Sequence, residues 1–222
     1  MWTWGPTFWS ILNLLAYQSD STGNSDMCAA VFANLGVLCP CSFCRASYPQ
    51  FFATVQARHH PEMLRVVYDI HSLVSEKLAR QTWDKYKAAH PQWVKPDAPF
   101  DPILVKTPTY DTFKKRMILS DTEPVNGHDV LLLMTALASR TTSDTRWHFL
   151  LFASCTALAL QAVKKNVSLQ RIGVLLETAC KQLRQEESMG GFRDAFVEVI
   201  GSEPDAKLRM MVAGACVSGT CV

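Results

Sequence analysis

The stretch Cys39-Pro40-Cys41-Ser42-Phe43-Cys44 decides how the rest of the chain is interpreted. Two residues separate Cys41 from Cys44, a spacing that allows a disulfide within one turn or two thiolate ligands for one metal ion. Proline is typical of helix starts, so Pro40 predicts that both cysteines lie in the first turn of a helix, where free amides and the helix dipole favour a thiolate. The spacing leaves three uses open: redox exchange, zinc binding, and a structural disulfide or buried thiol pair.

Composition limits the class of protein. The chain has 222 residues, of which 48% are hydrophobic, enough for a substantial core. A formal net charge of +2 argues against nucleic acid as a partner. The first basic residue is Arg45, so the apolar N-terminus lacks the charged start of a signal peptide and we expect no secretion. The segment from Trp147 to Val163 is shorter than the roughly 20 apolar residues of a membrane span, and we expect a buried helix there.

Apolar residues recur at helical spacing through the first part of the chain. The pattern predicts helices over Pro6–Tyr17, Met27–Leu38, Cys41 to about Gln56, and Pro61–Arg80, with a short fifth helix over Thr82–Ala89. A polar loop is expected over Gln18–Asp26. The clearest pattern is that of the fourth helix, whose apolar face carries Leu64, Val67, Tyr68, His71, Val74, Ser75 and Leu78.

A proline-rich segment divides the chain. Five of the 11 prolines fall between Pro91 and Pro108, which is typical of a connector. Beyond it, helices are predicted over 130–138, 147–163, 168–183, 191–200 and 204–213, and a short strand over 103–105 is possible by pattern. We therefore expect an all-α fold with a helical domain over 1–95, a connector over 96–126 and a C-terminal helical region over 127–222. The apolar stretch 130–163 would pack on the first domain or form a dimer interface.

The predicted setting of the cysteine motif excludes one familiar redox fold. A thioredoxin-like domain places Cys-x-x-Cys after a strand in a βαβ unit, whereas helices are predicted on both sides of this motif. A helical bundle with a redox pair needs an electron acceptor close to the thiols. Aromatic side chains on facing helices can enclose a planar cofactor in that role.

Three stretches together resemble one family. They are Trp4-Gly5-Pro6-Thr7-Phe8-Trp9-Ser10-Ile11-Leu12, Pro40-Cys41-Ser42-Phe43-Cys44, and His71-Ser72-Leu73-Val74-Ser75-Glu76-Lys77-Leu78 followed by Trp83 and Tyr86. In order and spacing they resemble the Erv/ALR family of FAD-dependent sulfhydryl oxidases, most of all the forms encoded by large cytoplasmic DNA viruses. The resemblance covers about residues 1–91. It implies a four-helix bundle with a short fifth helix, to which this chain adds its C-terminal helical region.

The resemblance also implies an activity and a site. Cys41 would be the interchange thiol that attacks an incoming disulfide, and Cys44 would lie against the flavin as the charge-transfer thiolate. Electrons would pass from protein thiols to FAD and then to molecular oxygen, giving a protein disulfide and hydrogen peroxide. FAD would be enclosed by Gly5, Pro6, Trp9, Asn13, Tyr17, Cys44, His71, Ser72, Val74, Ser75, Leu78, Trp83, Tyr86 and Lys87.

The chain departs from the family pattern at three positions. Family members usually carry His where this chain has Asn13, and Asn where it has Ser72 and Ser75. Serine can still donate and accept a hydrogen bond, but with a shorter reach.

The remaining cysteines divide into three groups. Family members often use a second, mobile cysteine pair to relay electrons from the substrate, and Cys216 and Cys221 are candidates for such a shuttle; a loose terminal disulfide or idle thiols are the alternatives. Cys28 and Cys39 would pair with each other or stay reduced. Cys155 and Cys180 fall in apolar helices and are expected in the core.

Two other classes of function stay open. A structural zinc site would use Cys39, Cys41, Cys44 and His59 or His60. A non-enzymatic virion assembly protein would keep the first domain as a relic. If the viral resemblance holds, the protein would act as a homodimer in the host cytoplasm and in the virion, with thiol-containing proteins as substrates and no membrane span.

Overall fold

The structure of the protein is a computed structural model, which describes residues 4–23, 25–101, 105, 107–120 and 125–200. Its described residues form helices and no strands, which confirms the all-α class. The helices are α1 (Trp4–Thr22), α2 (Ser25–Leu38), α3 (Ser42–Gln56), α4 (Met63–Ala89), α5 (Tyr110–Ser120), α6 (Gly127–Arg140), α7 (Arg146–Gln161), α8 (Val167–Leu183) and α9 (Met189–Ile200). A short 3-10 helix, Ser143–Thr145, precedes α7.

The turn between α1 and α2 is shorter than expected. The sequence predicted a loop over Gln18–Asp26, but α1 continues to Thr22. The hydroxyls of Ser21 and Thr22 donate to the carbonyl oxygens of Tyr17 and Gln18 within the helix, so these polar residues do not open it. Gly23, which follows the last helical residue, has a φ of 69° that suits glycine.

Helix α4 is one continuous element of 27 residues. Residues Thr82–Ala89 are helical as predicted, but the predicted break before them is wrong, because they continue α4. Between Arg80 and Thr82 there is neither glycine nor proline, and the Thr82 hydroxyl donates to the Leu78 carbonyl oxygen at 2.9 Å inside the helix. Nothing in this stretch stops the helix.

Charged side chains fix the start of α4. Asp20 of α1 accepts hydrogen bonds from the backbone N–H groups of Met63 and Leu64, at 2.8 and 2.9 Å, and so satisfies two donors of the first turn. One turn further, the buried carboxylate of Asp69 is 2.6 Å from the guanidinium of Arg58 and 3.0 Å from that of Arg65. These contacts tie α4 to α1 and to the preceding turn.

The proline-rich segment is not a plain connector. Within the expected range 96–126 the chain forms α5, which starts just after the last proline of the cluster, Pro108. The Tyr68 hydroxyl of α4 donates to the Pro108 carbonyl oxygen at 2.6 Å, and the Tyr68 ring lies 5.4 Å from that of Phe113. The segment therefore packs on α4.

The C-terminal region packs against the first region, which is one of the two arrangements expected from the sequence. Helices α6 and α7 contact α1, and α7 contacts α2. The rings of Phe8 in α1 and Phe152 in α7 are 5.7 Å apart, and both side chains are buried. The two regions thus share one core.

Several predictions concern residues outside those described: the helix over 204–213, the terminal pair Cys216 and Cys221, and most of the strand over 103–105. Among the described helices, none combines the length and the apolar character needed to cross a membrane.

Candidate functional site

Helices α1, α3 and α4 enclose a cavity of about 460 Å³, within the range of small-molecule and cofactor sites. Trp4, Phe8, Trp9, Phe43, Tyr48 and Phe51 are the aromatic side chains of its wall. At Gly5 an added Cβ would meet no atom within 4 Å, so the space beside this turn of α1 is open. The cavity is therefore a largely aromatic chamber with room for a ring system.

The cysteine motif forms the N-terminal end of α3. Cys41 is the N-cap, with extended backbone angles (φ −88°, ψ 124°), and its sulfur accepts a hydrogen bond from the Cys44 backbone N–H at 3.3 Å. This confirms the predicted helix start after Pro40 and shows that the first turn directs its amides at sulfur. Cys41 is fully buried, whereas Cys44 is half-buried and lines the cavity.

The two sulfurs of the motif are not joined to each other in this structure. Cys41 is disulfide-bonded, whereas Cys44 is in no disulfide, and neither are Cys28, Cys39, Cys155 and Cys180. Cys39, which precedes the motif, is a buried thiol, and burial raises its pKa to about 12. Cys39 is therefore protonated at neutral pH.

A pair of rings from facing helices forms part of the chamber wall. The Trp9 indole of α1 and the His71 imidazole of α4 are 4.6 Å apart in an edge-to-face arrangement of 69°. Burial lowers the pKa of His71 below its usual range, which favours the neutral ring. A neutral imidazole can offer one donor and one acceptor to a bound ligand.

Helix α2 supports the wall formed by α3. The Tyr48 hydroxyl donates to the Phe32 carbonyl oxygen at 2.7 Å, which fixes the ring against α2. A Cβ on Gly36 would lie 3.1 Å from the Tyr48 ring, so a glycine allows this close approach. The wall is therefore held in place by α2 without a ligand.

One cation stands in the cavity wall. The Lys77 ammonium of α4 donates to the Ser47 hydroxyl of α3 at 2.6 Å, and it lies 6.0 Å from the centre of the Phe51 ring. These contacts join α3 to α4 across the chamber. They also place a positive charge where an anionic part of a ligand would be stabilised.

The structure brings together eight of the site residues predicted from the sequence. Those that line the cavity are Gly5, Pro6, Trp9, Asn13, Cys44, His71, Val74 and Leu78.

Six other predicted residues do not line the cavity: Tyr17, Ser72, Ser75, Trp83, Tyr86 and Lys87. The Ser72 hydroxyl donates to the Tyr68 carbonyl oxygen within α4, at 2.8 Å. The Lys87 ammonium contacts Asp84 of the same helix, at 3.2 Å. Serines and lysines of a long helix can thus bond within it rather than toward the site.

Trp83 and Tyr86 belong to an aromatic row at the end of α4. Stacked rings follow one another from Trp83 to Tyr86, His90 and Trp93, with centroid separations of 5.9, 4.4 and 5.2 Å. The Trp83 indole N–H is buried and has no hydrogen-bond partner in the described part of the chain. This end of α4 therefore holds an unused donor.

Sequence reasoning missed much of the cavity wall. The additional lining residues are Trp4, Phe8, Ser10, Leu35, Cys39, Phe43, Ser47, Tyr48, Phe51, Lys77 and Gln81. The only early signal for them is the clustering of aromatics in α1 and α3, which core packing explains equally well.

The other expectations for cysteines and zinc have clear outcomes. Cys155 and Cys180 are buried free thiols in α7 and α8, as expected of core residues. Cys28 and Cys39 are reduced, one of the two states expected. For the zinc alternative, the described residues contain no group of three or more His, Cys, Asp or Glu able to hold a metal, and His60 instead contacts Asp69 at 2.9 Å.

Comparison of the chain with protein-family models, with curated proteins and with solved structures found no match.

Proposed function

We propose that this protein is an FAD-dependent sulfhydryl oxidase that makes disulfide bonds in protein substrates. The observation that carries the proposal is the position of the Cys44 thiol in the wall of an aromatic cavity, within one helical turn of Cys41. A cysteine pair at a helix start beside a chamber for a planar ring combines a nucleophile with room for an electron acceptor.

The residues of the chamber fit a flavin. Trp9, Phe43 and Phe51 offer aromatic surfaces, neutral His71 and Asn13 offer polar groups, and the open space at Gly5 leaves room for a ring near α1. Lys77 would compensate the negative charge of the cofactor's phosphates. The unused Trp83 N–H and the ring of Tyr86 would serve the remainder of the cofactor, as the family resemblance implies.

The roles of the two cysteines are those that the family resemblance implies. In the oxidised enzyme Cys41 and Cys44 would be bonded to each other, and a substrate thiolate would attack Cys41 and release Cys44 as a thiolate. The second substrate thiolate would then displace Cys41, leaving a substrate disulfide and a reduced pair. Bound FAD supplies the two-electron acceptor that reoxidises the pair and reduces molecular oxygen to hydrogen peroxide.

Oxygen uptake with a model dithiol tests the proposal. The purified protein, supplied with FAD, is expected to consume oxygen and form hydrogen peroxide in equal amounts while the dithiol is oxidised. Cys44→Ser should abolish this uptake because it removes the thiol beside the acceptor. Cys180→Ser, a buried cysteine of α8 outside the cavity, is the matched control and should retain it. Uptake that is equal in Cys44→Ser and in the unchanged protein would contradict the proposal.

Substrates and setting remain part of the same proposal. Protein thiols would be the electron donors, with Cys216 and Cys221, both outside the described residues, as the shuttle between substrate and Cys41. The four-helix bundle with the family's bound cofactor, the homodimer and the location in the host cytoplasm and virion rest on the resemblance alone.

A further inference from the structure

A second cavity, of about 400 Å³, is lined by residues on both sides of the cysteine pair in sequence, among them Cys39 and Arg45. Cys39 also lines the aromatic chamber, so the second cavity is next to the proposed redox site. Nothing in the proposed oxidase chemistry uses this cavity.

The lining of the second cavity is positively charged. Arg45 and Arg140 both line it, together with Thr141, Thr142 and Thr145, and none of the lining residues that the structure describes is acidic. Asp144 lies in the adjacent 3-10 helix but is exposed and is not part of the wall. Two guanidinium groups with neighbouring hydroxyls form a site suited to carboxylate groups.

Arg45 links this cavity to the motif. It follows Cys44 directly in α3, and its Nη1 donates to the Cys39 carbonyl oxygen at 2.9 Å. That hydrogen bond orients the planar guanidinium while using only part of its donor fork. A ligand held by Arg45 would therefore lie close to the cysteine pair.

The rim of the cavity is apolar and accessible. Val37, at the end of α2, is 46% exposed, and Leu38 and Leu137 also line the space. A polypeptide segment with acidic residues beside small apolar ones matches this combination of a cationic floor and an apolar edge. A volume of about 400 Å³ accommodates one or two side chains but not a folded element.

We propose that Arg45 and Arg140 form a docking site for acidic residues that flank the reactive cysteine of a protein substrate. The role given to this site rests on the proposed oxidase function, but peptide binding at the site can be measured whether or not the protein is an oxidase. Binding at this site would select acidic thiol proteins and hold their cysteines close to the cysteine motif.

A redox-inert peptide pair tests the proposal without flavin, thiols or oxygen. One labelled peptide carries Ser-x-x-Ser flanked by glutamates, and the other carries the same sequence with glutamines. Fluorescence anisotropy with the full chain should give a Kd about tenfold lower for the glutamate peptide. The difference should shrink at high salt, because charge pairs at the surface are screened.

Variants locate the effect. In the double variant Arg45→Gln/Arg140→Gln the two peptides should bind equally, while Arg116→Gln, an exposed arginine of α5, should keep the tenfold difference. Circular dichroism of the double variant checks its fold, and the peptide comparison in the unchanged protein needs no variant. Equal binding of both peptides, or a difference that persists in the double variant, would overturn the proposal.

Two further measurements distinguish peptide docking from small-anion binding and from the oxidase activity. If inorganic phosphate displaces the acidic peptide and binds with the same affinity as the peptide does, the cavity is a small-anion site and the proposal fails. If the acidic peptide binds as expected but oxygen uptake is absent, the docking site stands and the oxidase proposal fails. If uptake is present, thiol peptides should differ in KM and not in kcat.

Discussion

The two halves of the molecule use aromatic residues in opposite ways. In the C-terminal region Phe149 is fully buried, and its ring lies 5.8 and 5.6 Å from Phe192 and Phe196 in edge-to-face contacts. In the N-terminal region Trp9, Phe43 and Phe51 stand around a cavity of about 460 Å³. Around Phe149 the C-terminal region fills its interior with its own side chains, whereas the N-terminal region leaves a space beside the Cys44 thiol.

The difference indicates where function lies. Side chains next to a space lack contact partners on one side, so the N-terminal region gives up packing energy that the C-terminal region keeps. A ligand that fills the chamber would restore those contacts. The C-terminal region would then serve as support, since α7 packs against both α1 and α2.

The largest expected effect is on the filled core. Phe149→Ala should lower the free energy of unfolding by about 3–5 kcal/mol, because it removes a fully buried ring that contacts Phe192 and Phe196. Urea denaturation measures the change. Trp147→Ala is the matched control: its side chain is 64% exposed, and a loss of similar size there would contradict the comparison.

A smaller loss is expected where α7 and α8 approach most closely. A Cβ on Gly173 would lie 2.7 Å from the Ala157 carbonyl oxygen, so Gly173→Ala should cost about 1–3 kcal/mol as the helices are forced apart. At Gly190 in α9 an added Cβ meets nothing within 4 Å, and Gly190→Ala should leave stability unchanged or raise it. Thermal unfolding of both variants would show whether the contact matters as stated.

The chamber should tolerate a larger side chain. Val74 lines the cavity, so the larger side chain of Val74→Phe can extend into the cavity. The substitution should therefore change the free energy of unfolding by less than about 1 kcal/mol, unlike overpacking in a filled core. The same variant should weaken FAD binding because the ring takes up cofactor space. A severe loss of stability would mean that the space is not available to a ligand.

The smallest effect expected is a pH dependence from His71. Burial lowers the pKa of His71 in the folded state, so as the pH falls below about 6.5 the unfolded chain takes up a proton that the folded protein resists. Stability contributed by the neutral ring is thus present at neutral pH and lost on acidification.

Urea denaturation of the apo protein on both sides of that pH checks the sign. The unchanged protein should lose more stability on acidification than His71→Gln, which has no such group. Other titrating groups are common to both proteins, so an equal loss would show that His71 contributes nothing.

Local patterns predicted most helices because periodicity and end signals are properties of a short segment. Helix α8 is an example: Leu169, Leu176 and Leu183 recur at helical spacing in the sequence and are all buried in the structure. The start of α3 was also predictable, because Pro40 and Cys41 carry a local signal. The unbroken α4 was not, since the end of a helix depends on a stop signal that Thr82 does not provide.

The site was predictable only in part. Cys44, Trp9 and His71 belong to motifs and were named from them. Tyr48 and Phe51 have the same apolar signature as core residues, and only the packing of α3 against α4 places them around a cavity. Trp83 and Tyr86 were assigned to the site by resemblance, whereas in the structure their rings stack on each other outside the cavity wall.

The visible absorption spectrum of the purified protein, with identification of any chromophore released by heat, tests the central claim most directly. We expect a yellow protein that releases one FAD per chain, or an apo protein that binds FAD in that ratio. FAD binding should be weaker in Val74→Phe and unchanged in Trp147→Ala. A colourless protein that cannot be reconstituted with FAD would contradict the account, as would FAD binding that Val74→Phe leaves unchanged.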